Sequence, residues 1–187
     1  INLFVEKAAS DPEMLTSIDW SHKLVGKVEQ EIRIDDSVLI DHEDFLSSKV
    51  VEYLNHILSL GVVNLSTGPW KIERRNAWVV RSFKCDFNPA HVHNNANICM
   101  AGFLKVPDWA EELSVDARDH APSMGKLAFM HGNTEEWSNN EIMMEPKVGE
   151  CYIFPSSLTH LVYPFRSEGE RRSFSVNFSR VFVNPNP

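Results

Sequence analysis

The stretch GECYIFPSSLTHLVYP, residues 149–164, decides how the chain is read. Gly149 suits a turn, Cys151–Phe154 reads as a short strand, and Pro155-Ser156-Ser157 reads as a loop before a second strand begins near Thr159. The same texture runs outward from it. Short segments rich in β-branched and aromatic residues, separated by Pro, Gly and Asn clusters, place strands near 77–85, 91–93, 98–106, 126–130, 151–154, 159–163 and 172–183. Many short strands at this spacing imply a mainly β (α+β) fold, a sandwich or barrel. The N-terminal third differs. In DFLSSKVVEYLNHILSL, residues 44–60, the side chains Phe45, Val50, Val51, Leu54, Ile57 and Leu58 recur at roughly helical spacing, and Gly61 stands where a helix would end. After it comes a turn-rich stretch, NLSTGPW, residues 64–70. With no repeat and no low-complexity linker, the 187 residues read as a single domain, a helical support region over 1–75 and a β core over 76–187.

Composition narrows the function. A net charge of -8 offers no basic footprint for a phosphate backbone, so the expected partner is a small-molecule or peptide substrate, not a nucleic acid. Cys85, Cys99 and Cys151 are odd in number and lack CxxC spacing, which argues against a disulfide framework or a zinc knuckle. INLFVEKAAS lacks a signal-peptide core, and no uncharged apolar run reaches membrane-spanning length, so a cytoplasmic protein without membrane contact is expected. Asn64-Leu65-Ser66 and Asn177-Phe178-Ser179 match the glycosylation pattern, which carries no weight in that setting.

Chemistry concentrates in three histidines. On an extended strand residues i and i+2 share a face, so His91 and His93 of AHVHNN can present imidazoles side by side, while His160 lies on a strand far downstream. Each alone is more often a hydrogen-bonded core or surface residue. Together, at the mouth of a barrel, they would leave one side of a metal open, the arrangement used for non-haem Fe(II) oxygen chemistry. His22, His42, His56, His120 and His131 have no partner at ligand spacing.

The stretch EPKVGECYIFPSSLTHLVYPFRSEGERRSFSVNFS resembles the C-terminal signature of the 2-oxoglutarate- and Fe(II)-dependent oxygenases, specifically a phage and marine bacterial group related to prolyl hydroxylases. The residues carrying the resemblance are Pro146, Gly149, Phe154-Pro155-Ser156, His160, Val162, Pro164, Arg171, Ser173 and Asn177. HVHNNANICMAGFLKVP and GKLAFM are similar to the group's upstream segments, and the likeness covers roughly residues 76–180. It implies a distorted double-stranded β-helix, a cupin-like jelly roll with the N-terminal helices packed on the larger sheet. It implies Fe(II) held by His91, His93 and His160, 2-oxoglutarate as cosubstrate, O2, and hydroxylation with release of succinate and CO2.

There are two departures. The superfamily binds iron with His-x-Asp and a distal His, whereas position 93 is His; were His93 the first ligand, Asn95 would take the acid's place. Cys99-Met100 also replaces a Ser-Gly pair of the group. Locally, Arg171 and Arg172 after Glu168 and Glu170 read as a charged turn; the eleven-residue step from His160 and the resemblance instead make Arg171 and Ser173, two apart on one strand face, the fork for the cosubstrate's far carboxylate. Asn97, Tyr152, Trp78 and Phe83 could line the pocket. Two rival readings are a cupin-like three-histidine metal protein, a dioxygenase, isomerase or small-molecule binder that does not use 2-oxoglutarate, and a β-sandwich interaction module with structural histidines.

Overall fold

Alternation along the strands separates two interiors. On the strand Arg171–Phe182, the side chains of Val176 and Phe178 are buried against helices, while Arg171, Ser173 and Ser175 line a cavity on the other face. The strand Trp70–Ser82 does the same, with Ala77 and Val79 in the helix-facing core and Trp78, Val80 and Ser82 lining the cavity.

The computed structural model describes residues 1–23, 26–61, 70–109, 123–133 and 135–182. His120 and positions 64–69 of the turn-rich stretch, including Asn64, lie outside the described residues, as does position 183 of the strand expected at 172–183. The helices are α1 (Asn2–Ser10), α2 (Pro12–Ile18), α3 (Asp36–Leu39) and α4 (Glu43–Ser59). The strands are β1 (Gln30–Arg33), β2 (Trp70–Ser82), β3 (Asn88–His91), β4 (Ile98–Lys105), β5 (Leu127–Met130), β6 (Glu141–Met144), β7 (Cys151–Pro155), β8 (Thr159–Val162) and β9 (Arg171–Phe182). They form a five-stranded sheet, β1-β2-β9-β4-β7, and a four-stranded sheet, β3-β8-β5-β6. Every pairing is antiparallel, and the cavity is lined from both sheets. This is the jelly-roll architecture of a distorted double-stranded β-helix, mainly β, with the N-terminal helices on the larger sheet.

Local chemistry explains the elements. Asp11 caps α2, its Oδ1 accepting from the N–H groups of Glu13 at 3.1 Å and Met14 at 3.0 Å, with Pro12 in the first turn. Gly61 follows α4 at φ +68°, the left-handed conformation that glycine adopts without strain. The buried stripe of α4 is Leu46, Val50 and Leu54, four residues apart, and not the full set expected from the sequence: Phe45 is 62% exposed, and Val51 and Leu58 are exposed as well. That stripe packs with Ile98, Met100, Val176 and Phe178 of the larger sheet, each such side chain contributing about 1.5–3 kcal/mol by its removal from water.

Two strands were not expected. In β1, Ile32 sits between Glu31 and Arg33, so the strand lacks an apolar run, yet Ile32 is 0% exposed and pairs with Val79. It extends the larger sheet into the N-terminal third. The other, β6, is a four-residue edge strand against β5. Among the described residues, no helix is long and apolar enough to cross a membrane.

Candidate metal centre

β3 ends at His91, whose register partner on β8 is His160, so one antiparallel pair brings together residues far apart in sequence. His93 lies two residues beyond the end of β3 and not within a strand over 91–93; its backbone N–H donates to Ser156 O at 3.0 Å, which ties this loop to the turn between β7 and β8. Ring centroids are separated by 4.2 Å for His91 and His160, 4.9 Å for His93 and His160, and 5.4 Å for His91 and His93. One nitrogen from each ring lies within 4.8 Å of the others. Asn95 sits exposed in the following turn at φ +62°.

Each ring has its Nδ1 engaged elsewhere, facing Pro89 O at 2.7 Å for His91, Leu158 O at 2.9 Å for His160 and Asn177 Oδ1 at 2.8 Å for His93. In the Nδ1–H tautomer each donates that proton and keeps an Nε2 lone pair for a cation. Burial favours the neutral form that ligation needs. It pulls His160 down to about 4, against the hydrogen bond to Leu158, and lowers His93 likewise. Behind His93 stands Cys99, whose thiol burial pushes up to about 12, so it is an S–H at neutral pH.

The histidines line a cavity of about 190 Å³, and Arg171 and Ser173 line it as well. Arg171 is 2% exposed and Arg172 1%, so neither belongs to a solvated turn. Their side chains diverge, as strand alternation requires. Arg172 faces the helices, donating to Glu170 and to Glu6 on α1. Arg171 faces the cavity, where Nε donates to Gly125 O at 2.8 Å, Nη1 to Ser173 Oγ at 3.2 Å, and the guanidinium stands 5.1 Å from the centre of the Phe103 ring. Among the described residues no carboxylate pairs with it. Burial lowers its pKa to about 10, which leaves it charged at neutral pH.

Trp78 lines this cavity, with its ring 5.3 Å from that of His93, whereas Asn97, Tyr152 and Phe83 are not among the residues that do. Asn97 spends its Oδ1 on the Arg180 N–H at 2.8 Å, on the far side of the sheet. Tyr152 shares a strand face with Phe154 but lies beyond the cavity, its hydroxyl donating to Glu150. Phe83 falls just after β2, where its N–H donates to the buried Asp86. Four polar lining residues lay outside the sequence reading: Glu31, 5% exposed on edge strand β1, Ser82, Asn88 and Ser175. Ser175 was accessible in principle through the alternation Arg171, Ser173, Ser175 on one strand.

The family model described as "Putative 2OG-Fe(II) oxygenase" matches residues 76–177, more than half of the chain. No curated protein sequence matches it. Among solved structures, a Pseudomonas putida prolyl-4-hydroxylase superposes with a TM-score of 0.51 at 16% identity, over 80% of this chain and 71% of that one. A viral collagen prolyl hydroxylase from Paramecium bursaria Chlorella virus-1, in its 2-oxoglutarate complex, gives 0.49 at 14% identity, over 91% and 88%. An oxidoreductase of the 2OG-Fe(II) oxygenase family from Burkholderia pseudomallei gives 0.42 at 15% identity over 58% of this chain, which spans 44% of that protein's length. At such identities the structural likeness concerns the fold, and the family rests on the sequence match that runs from β2 through the histidines to Asn177: the chain belongs to the 2OG-Fe(II) oxygenases, whose cofactors are Fe(II), 2-oxoglutarate and O2.

Proposed function

We propose that the protein is a 2-oxoglutarate-dependent hydroxylase in which His91, His93 and His160 hold Fe(II) through their Nε2 atoms, and Arg171 with Ser173 holds the far carboxylate of 2-oxoglutarate. One observation carries this reading: a convergent set of three histidines and a buried arginine with no carboxylate partner among the described residues line the same cavity. The donor set fits the metal. Three neutral imidazoles suit Fe(II), and ligation at about 2.1 Å needs the lone pairs that the engaged Nδ1 atoms leave on Nε2. Three uncharged ligands also leave the ion its full positive charge, which favours an anionic keto acid beside it.

Bound there with 2-oxoglutarate and O2, Fe(II) supplies the oxidising chemistry that releases succinate and CO2 and hydroxylates the substrate, a small molecule or a peptide. The protein's own residues orient and exclude. Arg171 offers a planar fork held over Phe103, Ser173 adds a hydroxyl, and Val80, Leu127, Phe154 and Val162 keep the walls apolar. Trp78 flanks His93 on the side of the larger sheet.

The test is cosubstrate consumption. Protein stripped by a chelator and reloaded with Fe(II) is expected to convert 2-oxoglutarate to succinate in air when ascorbate is supplied to take up the oxidising equivalent in place of the substrate, and the apoprotein to convert none. A metal-loaded protein that leaves 2-oxoglutarate intact would overturn the proposal.

A further inference from the structure

His91 and His160 are oriented by the chain that carries them. Each turns Nδ1 onto the carbonyl two residues earlier, Pro89 O and Leu158 O. His93 has no such local anchor. It stands beyond the end of β3, and its Nδ1 meets Asn177 Oδ1 at 2.8 Å, 84 residues away on β9 of the other sheet. One ligand of the three is therefore aimed from across the barrel.

Asn177 is itself held. It is 5% exposed, and its register partner on β4 is Cys99, 1% exposed. Cys99 Sγ lies 3.1 Å from Asn177 Oδ1 and 3.0 Å from His93 Nδ1. The Cys99 thiol donates to this amide oxygen, whose second lone pair faces His93 Nδ1. A half-turn of the amide would put its NH2 group against the S–H donor, so the oxygen stays toward the ring. With that oxygen fixed, the proton of His93 is fixed on Nδ1 and Nε2 is left as the free nitrogen.

We propose that Asn177 is the positioning residue that makes His93 a metal ligand, and that Cys99 holds the Asn177 amide in its accepting orientation. This rests on the reading of the three histidines as one metal site. It also identifies a feature of that site's chemistry: the group behind His93 is a neutral amide where a carboxylate would raise the ring's basicity, so the whole ligand set and its support are uncharged around this ring.

The probe is Co(II), added to the chelator-stripped full chain and followed by calorimetry and by the visible spectrum, with thermal unfolding recorded for each variant. Asn177→Ala is expected to weaken Co(II) binding by about 10- to 100-fold, the usual cost of losing such a support. Asn177→Asp is expected to bind at least as tightly as the wild type. Cys99→Ala should show a smaller loss that Cys99→Ser, which keeps a donor proton, reverses. A second readout is proton NMR of the Co(II) protein, in which each ligand's Nδ1–H gives a shifted exchangeable resonance: Asn177→Ala should speed solvent exchange of the His93 resonance and leave the His91 and His160 resonances unchanged. Wild-type affinity in a folded Asn177→Ala variant, with His93→Ala abolishing binding, would overturn the positioning role and leave the metal site standing. Wild-type affinity in His91→Ala, His93→Ala and His160→Ala alike would remove the metal site, and this inference with it.

Discussion

Replacing Arg171 by alanine is expected to raise the dissociation constant for 2-oxoglutarate by about thirty- to a thousandfold, while the metal remains bound. The magnitude follows from losing a bidentate, charge-assisted contact in a buried site, roughly 2 to 4 kcal/mol. Arg171 is suited to that contact because its present partners, Gly125 O and Ser173 Oγ, are neutral acceptors that fix the fork without neutralising it. Lysine at this position would restore the charge but not the planar fork, so Arg171→Lys should recover part of the affinity. Arg172→Ala is the internal control. Its side chain is committed to Glu170 and Glu6 on the opposite face, so its substitution should lower stability and leave cosubstrate affinity near that of the wild type. Equal losses of affinity in the two alanine variants would contradict the assignment.

The second large effect concerns stability. Glu170 is 5% exposed and accepts from Arg81 Nε at 2.6 Å, from Arg172 Nε and Nη2 at 2.8 Å each, and from Lys105 Nζ at 3.2 Å. It thereby joins β2, β4 and the start of β9, and through Arg172 it reaches Glu6 on α1. Glu170→Ala leaves the buried Arg172 with only the largely exposed Glu6 as counter-charge and takes from Arg81 its carboxylate partner, a change that costs about 3–5 kcal/mol. Spread over a domain of this size, that is a fall in Tm of about 6–20 °C. The pH dependence has a definite sign. Burial alone would raise the carboxyl's pKa, but the hydrogen bonds from Arg172 and Arg81 outweigh it and hold the group down to about 2, below its ordinary 4.5. The folded-state pKa is thus the lower one. Glu170's contribution is fully present above about pH 4.5 and is lost as the pH falls toward 2, so urea unfolding should show wild type and variant converging over that acid range. A difference that stays constant from pH 6 to the acid limit would show that the charge on Glu170 is not what stabilises the fold.

Much of this architecture was legible in the chain, for identifiable reasons. β4, β5, β7 and β8 are short apolar or aromatic runs bounded by Gly, Pro and Asn, and such runs form strands wherever both faces are covered. The opposite facing of Arg171 and Arg172 needed only strand alternation. The convergence of His91 and His160 followed from placing both on strands near one end of a barrel. β1 escaped because its one buried apolar side chain, Ile32, stands between Glu31 and Arg33, and a buried glutamate carries no apolar signal. The phase of α4 was misjudged because Phe45 is apolar yet 62% exposed, and nothing local distinguishes it from the buried Leu46 beside it. Tyr152 and Asn97 were misplaced for a related reason: residue type gives a face or a turn, while the extent of the cavity along that face depends on the opposing sheet. The anchoring of His93 by Asn177 depends on register between strands 84 residues apart, which no local pattern carries.

The anaerobic titration of the Fe(II)-loaded protein with 2-oxoglutarate bears on the whole site at once, since it requires the histidines to hold the metal and the cavity to admit the keto acid beside it. The expected result is the visible charge-transfer band of a chelated 2-oxo acid, rising to saturation at one equivalent per metal and absent from the metal-free protein. An Fe(II)-bound protein that shows no band at saturating 2-oxoglutarate would contradict the account.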